Sequence, residues 1–335
     1  RKGLNTLAMY IESARHCSGW ILDNAARGPL PLEVTRPATI VEDSAECVSW
    51  RASFAWGAST FRMTTTVHAG SPRIDTVLEA DWLERGRSPK RRASSASDIP
   101  DTAALEGSPT STIECPMLRA LFDFSRAPKS LVCDTPFAAV ARKPGIEAPA
   151  QRWADVPLQG GGVALLNDSK YGHSLDRTTL RLGLLRSFIN PDQLPDVGRH
   201  TIRWALLPHR GGWLEAGVAR EGFAFNVPFE TWQVREQEGV IGDAHSFLET
   251  GGDAGFIVTG VKRAEDGDGL IVRGYDASGR GSEASIAGHT AFTAAAETDI
   301  LEEPHDAAGN AIACQNGVAR IIARPSAIVT MRLKA

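Results

Sequence analysis

The chain has 335 residues, 42% of them hydrophobic and 23% charged, with a formal net charge of −4. Such composition excludes a disordered chain, and five Cys are too few for a disulfide-stapled miniprotein. There is no global basic field to hold a polyanion and no run near the ~18 apolar residues that span a bilayer, so neither nucleic acid nor membrane is an expected partner. Length fits two ordinary domains or one large β domain, and 32 Gly with 19 Pro favour many short strands. The first residue is Arg1 and no signal-peptide pattern follows, so the chain reads as processed or cut from something longer. Cys17, Cys47, Cys115, Cys133 and Cys314 are scattered without a CxxC clip, which predicts reduced thiols and a cytoplasmic setting.

Residues 1–39 carry little pattern and read as a lead-in or linker. From Cys47 the order is plain. Val48, Trp50, Ala52, Phe54 and Trp56 alternate with smaller or polar residues, as do Phe61, Met63, Thr65 and Val67. After a turn at Gly70-Ser71-Pro72, Ile74, Thr76, Leu78, Ala80 and Trp82 share one face, with Asp75, Glu79 and Asp81 on the other. Period two, three times over, predicts an antiparallel meander with one buried face. Residues 86–130 are Ser-, Pro- and Arg-rich and read as loop, with at most short strands or one helical turn near Leu118–Phe124. The basic cluster Arg85, Arg87, Lys90, Arg91 and Arg92 has no fold signature beside it and reads as a solvated loop.

The β pattern returns with the run Val163–Leu166, the alternation of Leu180, Leu182 and Leu184, and that of Ile202, Trp204 and Leu206. A hairpin is predicted from Phe256–Glu265 and Leu270–Tyr275 around Asp266-Gly267-Asp268-Gly269, and a last strand at Ala327–Leu333. The expected fold is all-β: a large antiparallel β-sandwich over residues 40–230, with a smaller β-region over 231–335 packed on it.

Motifs for autonomous chemistry are missing. There is no phosphate-binding GxGxxG, no Walker lysine and no GxSxG elbow. Gly160-Gly161-Gly162 precedes a strand and reads as a turn, not an oxyanion loop. HExxH and HxD are absent. His173 with Asp176, Asp243 with His245, and His305 with Asp306 each lack a third ligand and read as surface pairs, so no metal site is assigned. Asp266 and Asp268 begin like a calcium loop but lack the downstream Glu, and a hairpin turn explains them as well.

A resemblance emerges from Ala148 onward. The strings APAQRWAD (Ala148–Asp155), VALLNDSKYG (Val163–Gly172), LRLGLLRS (Leu180–Ser187), HTIRWALLPH (His200–His209) and GWLEAG (Gly212–Gly217) follow in order. With HAGSPRID (His68–Asp75), DWLE (Asp81–Glu84), VKRAEDGDGL (Val261–Leu270) and IVTMRL (Ile328–Leu333), the chain closely resembles the C-terminal β-region of glycoside hydrolase family 38, the class II α-mannosidases. The resemblance covers about residues 40–335. It implies a galactose-mutarotase-like supersandwich. It also implies a parent enzyme whose N-terminal barrel holds zinc, bound by an HxD motif with a further Asp and His, and the Asp nucleophile of a retaining mechanism. None of these residues has a counterpart here, so no catalytic residue is assigned and the chain alone is expected to be inactive. Two departures bear on one edge of the sandwich: the basic stretch 85–130, and Pro136-Phe137-Ala138 where the family has Pro-Phe-Gly.

The expected function is that of the β-half of a retaining α-mannosidase. It would support the barrel, with an α-mannoside as substrate, and possible self-association where the barrel is missing. Asn167, Asp168, Ser169, Lys170 and Tyr171 offer amide, carboxylate, hydroxyl, ammonium and phenol within five residues, fitting a sugar-contacting loop; a capped turn is the plainer reading. Arg152 and Asp155 beside Trp153 form a second candidate, with a local Arg–Asp pair as its plainer reading. His209, where Pro208-His209 end a strand, is a third, expected to face the domain interface. The other functional readings are a free-standing, non-catalytic carbohydrate-binding β-sandwich and a purely structural packing domain.

Overall fold

The computed structural model describes residues 3–12, 19–20, 22, 25–86, 114–188, 191–192, 194–236, 238–239, 241–305 and 310–335. Cys17, Asp306 and the basic residues Arg87, Lys90, Arg91 and Arg92 lie outside these. In chain order the first strands are β1 (Leu4–Glu12), β2 (Ala25–Pro31), β3 (Glu33–Asp43), β4 (Cys47–Trp56), β5 (Ser59–His68), β6 (Ile74–Trp82), β7 (Cys115–Asp123) and β8 (Leu131–Thr135). Then come β9 (Ala138–Arg142), β10 (Glu147–Pro149), β11 (Trp153–Leu158), β12 (Gly161–Asn167), β13 (Gly172–Asp176), β14 (Thr179–Arg186) and β15 (Gly198–Arg210). The chain forms two compact units, residues 1–131 with 142–209, and residues 132–141 with 210–335. Both are antiparallel β structures.

In the first unit a six-stranded sheet runs β10-β13-β14-β7-β1-β2, and a second sheet runs β3-β4-β5-β6-β15-β12-β11. The predicted meander is β4-β5-β6 in unbroken register, from Cys47↔His68 to Trp56↔Ser59 and from Thr60↔Asp81 to Val67↔Ile74. On β6 the buried residues are Thr76, Leu78, Ala80 and Trp82, as alternation requires. On β4 burial departs from period two. Val48 is exposed and Ser49 buried, because Ser49 lies beside the hydroxyl of Thr66 (2.9 Å) under the Glu42 carboxylate from β3.

Two segments differ from the sequence reading. Residues near Leu118–Phe124, expected as loop with at most short strands or a helical turn, lie mostly in β7, between β1 and β14 near the middle of the six-stranded sheet. Cys115–Phe122 is buried on both faces, so the strand shows an apolar run interrupted by the buried Arg119 and no alternation, which periodicity alone cannot tell from helix. The lead-in of residues 1–39 holds β1, β2 and most of β3, and β1 pairs along its length with β7.

The two sheets are pinned by side-chain hydrogen bonds. Asn5 on β1 has φ 61°, at a register shift against β7. Its Oδ1 accepts from Trp204 Nε1 (2.8 Å) and its Nδ2 donates to Thr76 Oγ1 (2.9 Å), both in the opposite sheet. Ser187, one residue beyond β14, accepts from Trp82 Nε1 (2.9 Å) and donates to the Glu84 carbonyl (2.7 Å). Around these pins pack Leu78, Leu118, Phe122 and Leu165, all fully buried.

The second unit holds the β8–β9 connection, one helix α1 (Val218–Asn226), and strands β16 (Leu248–Gly252), β17 (Phe256–Arg263), β18 (Leu270–Asp276), β19 (Ser282–Gly288), β20 (Ala294–Thr298), β21 (Ala311–Gln315), β22 (Val318–Ala323) and β23 (Ile328–Lys334). They form two four-stranded sheets, β16-β19-β22-β21 and β17-β18-β23-β20. The predicted hairpin is β17–β18 and the predicted last strand is β23. Their core is Phe256, Val272, Ile286, Phe292, Ile321, Val329, Met331 and Leu333. Asp276 organises two turns. Its carboxylate accepts from Ser278 Oγ (2.6 Å), Gly281 N–H (3.0 Å) and Ser326 N–H (2.8 Å). Burial raises the Asp276 pKa, but the Ser278 hydroxyl and the backbone donors outweigh it and hold the carboxyl below its ordinary value.

Asn5→Ala is expected to lose about 1–3 kcal/mol in urea unfolding, as the Trp204 N–H is left without its partner. Strain at the left-handed position adds equally in a Trp204→Phe background, so a double-mutant cycle isolates the bond. Asp276→Asn is expected to lose about 2 kcal/mol at neutral pH. A depressed acid stabilises above its unfolded pKa and loses that as pH falls through the folded value. The wild-type advantage over Asp276→Asn therefore shrinks below about pH 4, as urea titrations at several pH values would show.

Candidate functional site

The sequence candidates gather around the β11–β12 hairpin of the first unit. Trp153↔Leu166 and Asp155↔Ala164 are cross-strand pairs, so residues 151–152 and 167–168 meet at its open end. Asn167 is buried. Its Nδ2 donates to the Gln151 carbonyl (2.8 Å), and its N–H donates to the Arg152 carbonyl (2.9 Å). Asp168 accepts two hydrogen bonds from Arg203 of β15, Nε at 2.9 Å and Nη2 at 2.7 Å, a charge-assisted fork. Ser169 sits at φ 64°, which turns the chain outward.

Beyond that turn the side chains differ in kind. Burial pushes the Lys170 ammonium below its ordinary pKa, and the Asp196 carboxylate pulls the other way. Tyr171 is 54% exposed, while its carbonyl accepts the Ala150 N–H (2.9 Å) and lies 3.1 Å from His173 Nδ1. His173 is fully buried and pushed down to about 4 by desolvation, so it is a neutral imidazole holding the loop. Asn167 and Asp168 are engaged in the scaffold; Tyr171 is the exposed group of the loop, and Lys170 is half-buried.

Asp155 and His209 come together. His209 at the end of β15 reaches across β12 to Asp155 on β11, with Nε2 2.9 Å from Oδ1, and both side chains are buried. The crossing is possible because β12 carries Gly162 at that point. A Cβ there would lie 2.7 Å from the imidazole and 3.0 Å from the carboxylate. Burial raises the Asp155 carboxyl above its ordinary range, and His209 and the Val156 N–H counter it in part. Trp153 is buried beside this pair. Arg203 and Gly162 were missed from the sequence; the outward place of Arg203 between Ile202 and Trp204 was the available signal.

Residues 1–194 match the family description "Glycosyl hydrolases family 38 C-terminal domain". The chain belongs to glycosyl hydrolase family 38. Residues 255–331 match the same family's "C-terminal beta sandwich domain". Alpha-mannosidase G of Dictyostelium discoideum is 36% identical over 136 residues, 40% of this chain and 12% of that protein. Alpha-mannosidase 2C1 of Homo sapiens is 45% identical over 82 residues, 24% of this chain and 8% of that protein. A family 38 structure from Enterococcus faecalis superposes with a TM-score of 0.74 at 16% identity, covering 99% of this chain and 40% of that one, which shows a shared fold. The chain thus matches small parts of longer relatives and resembles the C-terminal portion of family 38 mannosidases.

The zinc that the family implies does not fit these residues. The chain has no HxD, and among the described residues no three His, Cys, Asp or Glu side chains converge. Nor is any described helix long and apolar enough to cross a membrane.

His209→Ala is expected to destabilise the chain by about 1–3 kcal/mol at pH 7, because it removes a hydrogen-bond partner of the buried Asp155 carboxyl. A carboxyl with a raised folded pKa loses stability as pH rises above its unfolded value. The loss should therefore be smaller near pH 4.5, and Asp155→Asn in the same background should remove most of the pH dependence in chemical unfolding.

Proposed function

We propose that the chain is the C-terminal β-half of a retaining α-mannosidase, that it docks on the catalytic barrel of the same enzyme, and that it supplies the Lys170–Tyr171 loop as a sugar-contacting edge. The observation that carries this reading is an uncovered apolar strap. Between α1 and β16 the described residues form no strand, and they expose Phe229 (98%), Trp232 (75%) and Val234 (73%). Soluble monomers rarely leave such residues clustered in water. In a family 38 enzyme the barrel is the large surface available to cover them. Lys170 and Tyr171 can donate to hydroxyls and lay a ring against a sugar face, but they make no acid–nucleophile pair, so hydrolysis belongs to the barrel. Free thiols at Cys47 and Cys314 support a reducing, cytoplasm-like setting.

The test is hydrolysis of 4-nitrophenyl α-mannoside by the purified chain, with added zinc and with a chelator. No turnover is expected in either; zinc-dependent turnover would overturn the reading. The strap makes a second claim. The isolated chain should self-associate with rising concentration in sedimentation velocity, and Phe229→Ser with Trp232→Ser should shift it toward monomer. A wild-type chain that stays monomeric at high concentration would count against the strap as a docking surface.

A further inference from the structure

At one end of the first unit's sandwich, where β4 and β6 end against the end of β1 and the start of β7, lies a cavity of about 330 Å³. That is the small end of the ~300–1,000 Å³ usual for ligand sites. The indole of Trp56 forms part of its apolar wall, and its polar groups are Arg27, Glu84, Arg85 and Glu114.

The wall is built, not incidental. Trp56 and Ser59 face each other across the two-residue turn Gly57-Ala58. Glu84 Oε1 accepts from the Ala58 N–H (3.2 Å) and from Ser59 Oγ (2.9 Å), so this carboxylate fixes the turn that presents the indole. Gly57 makes the approach possible. It has φ 56°, and a Cβ there would lie 2.6 Å from Glu84 Oε1. The Glu84 carbonyl is in turn held by Ser187. Glu84 Oε2 has no protein donor among the described residues, and neither the Arg85 guanidinium nor the Trp56 N–H has a partner among them. Arg27 Nη2 donates to Glu114 Oε1 at 2.7 Å.

Two arginines and two glutamates cancel in formal charge, so the cavity does not select an anion or a cation by field. What it offers is a carboxylate oxygen and an aromatic face held in place by the turn, with the exposed guanidinium groups of Arg27 and Arg85 at its edge. A neutral polyol needs that combination. Its adjacent hydroxyls donate to a carboxylate and accept from a guanidinium, while the C–H face of its ring lies against an indole. We infer that this cavity is a monosaccharide pocket that takes one neutral hexose, distinct from the Lys170–Tyr171 loop. The choice of a mannoside as probe rests on the proposed function; the pocket itself does not.

Calorimetric titration of the whole chain with methyl α-D-mannopyranoside tests it, with inorganic phosphate as a second ligand. Saturable binding is expected with a dissociation constant of roughly 1 mM. Trp56→Ala should weaken it about tenfold. Arg85→Gln, on an unpartnered side chain, should weaken it with the unfolding midpoint unchanged, so a loss in both variants is not misfolding. Three results overturn the inference: no saturable heat with the mannoside, binding unchanged in both variants, or phosphate binding that displaces the sugar. None of these touches the proposed function, which is tested separately by turnover of the chain alone and by its self-association.

Discussion

Two tryptophan N–H groups set the construction of the larger unit. Trp82 and Trp204 are fully buried in one sheet, and an indole donor in a dry interior must be met. Each is met from the other sheet, by Ser187 and by Asn5. The pins therefore do more than add a bond apiece. They fix how far apart the sheets lie and which residues face each other, since a slip of one residue in β1 or β6 would leave a donor stranded. Asn5 accepts a left-handed backbone to do this. Asparagine tolerates that conformation, and its side chain carries both the acceptor for Trp204 and the donor for Thr76.

The same economy of roles runs through the candidate loop. Asn167, Asp168 and the neutral His173 tie it to the hairpin and to β15, leaving Tyr171 exposed and Lys170 half-buried. A side chain can recognise a hydroxyl only if its own position is settled beforehand, and these bonds settle it. That division separates the side chains that hold the loop from the one it exposes.

Much of the fold was legible where one face of a strand is wet. The β4–β6 meander and the β17–β18 hairpin alternate in sequence because they alternate in burial. β7 was not legible, since burial on both faces erases the period. β1 was missed for a related reason: Leu7 to Glu12 are all buried, including polar Glu12, which is paired to Arg186 from β14. At the site, the string around Asn167 stands out because it is contiguous. The Asp155–His209 pair does not, because 54 residues separate the partners and the gap that lets them meet is the missing side chain of Gly162. The Trp56 cavity is harder still, drawing on five stretches of chain that no window of sequence spans.

The Asn5 pin also has a consequence in time. Its partner Trp204 lies 199 residues further along the chain. At about 5–20 residues per second of synthesis, β1 waits roughly 10–40 s for the strand that completes its surroundings. Through that interval its apolar run Leu7-Ala8-Met9 has neither β7 nor β15 for much of the wait. Until β7 and β15 follow, that segment is apolar surface on the growing chain, of the kind that invites aggregation before folding is complete.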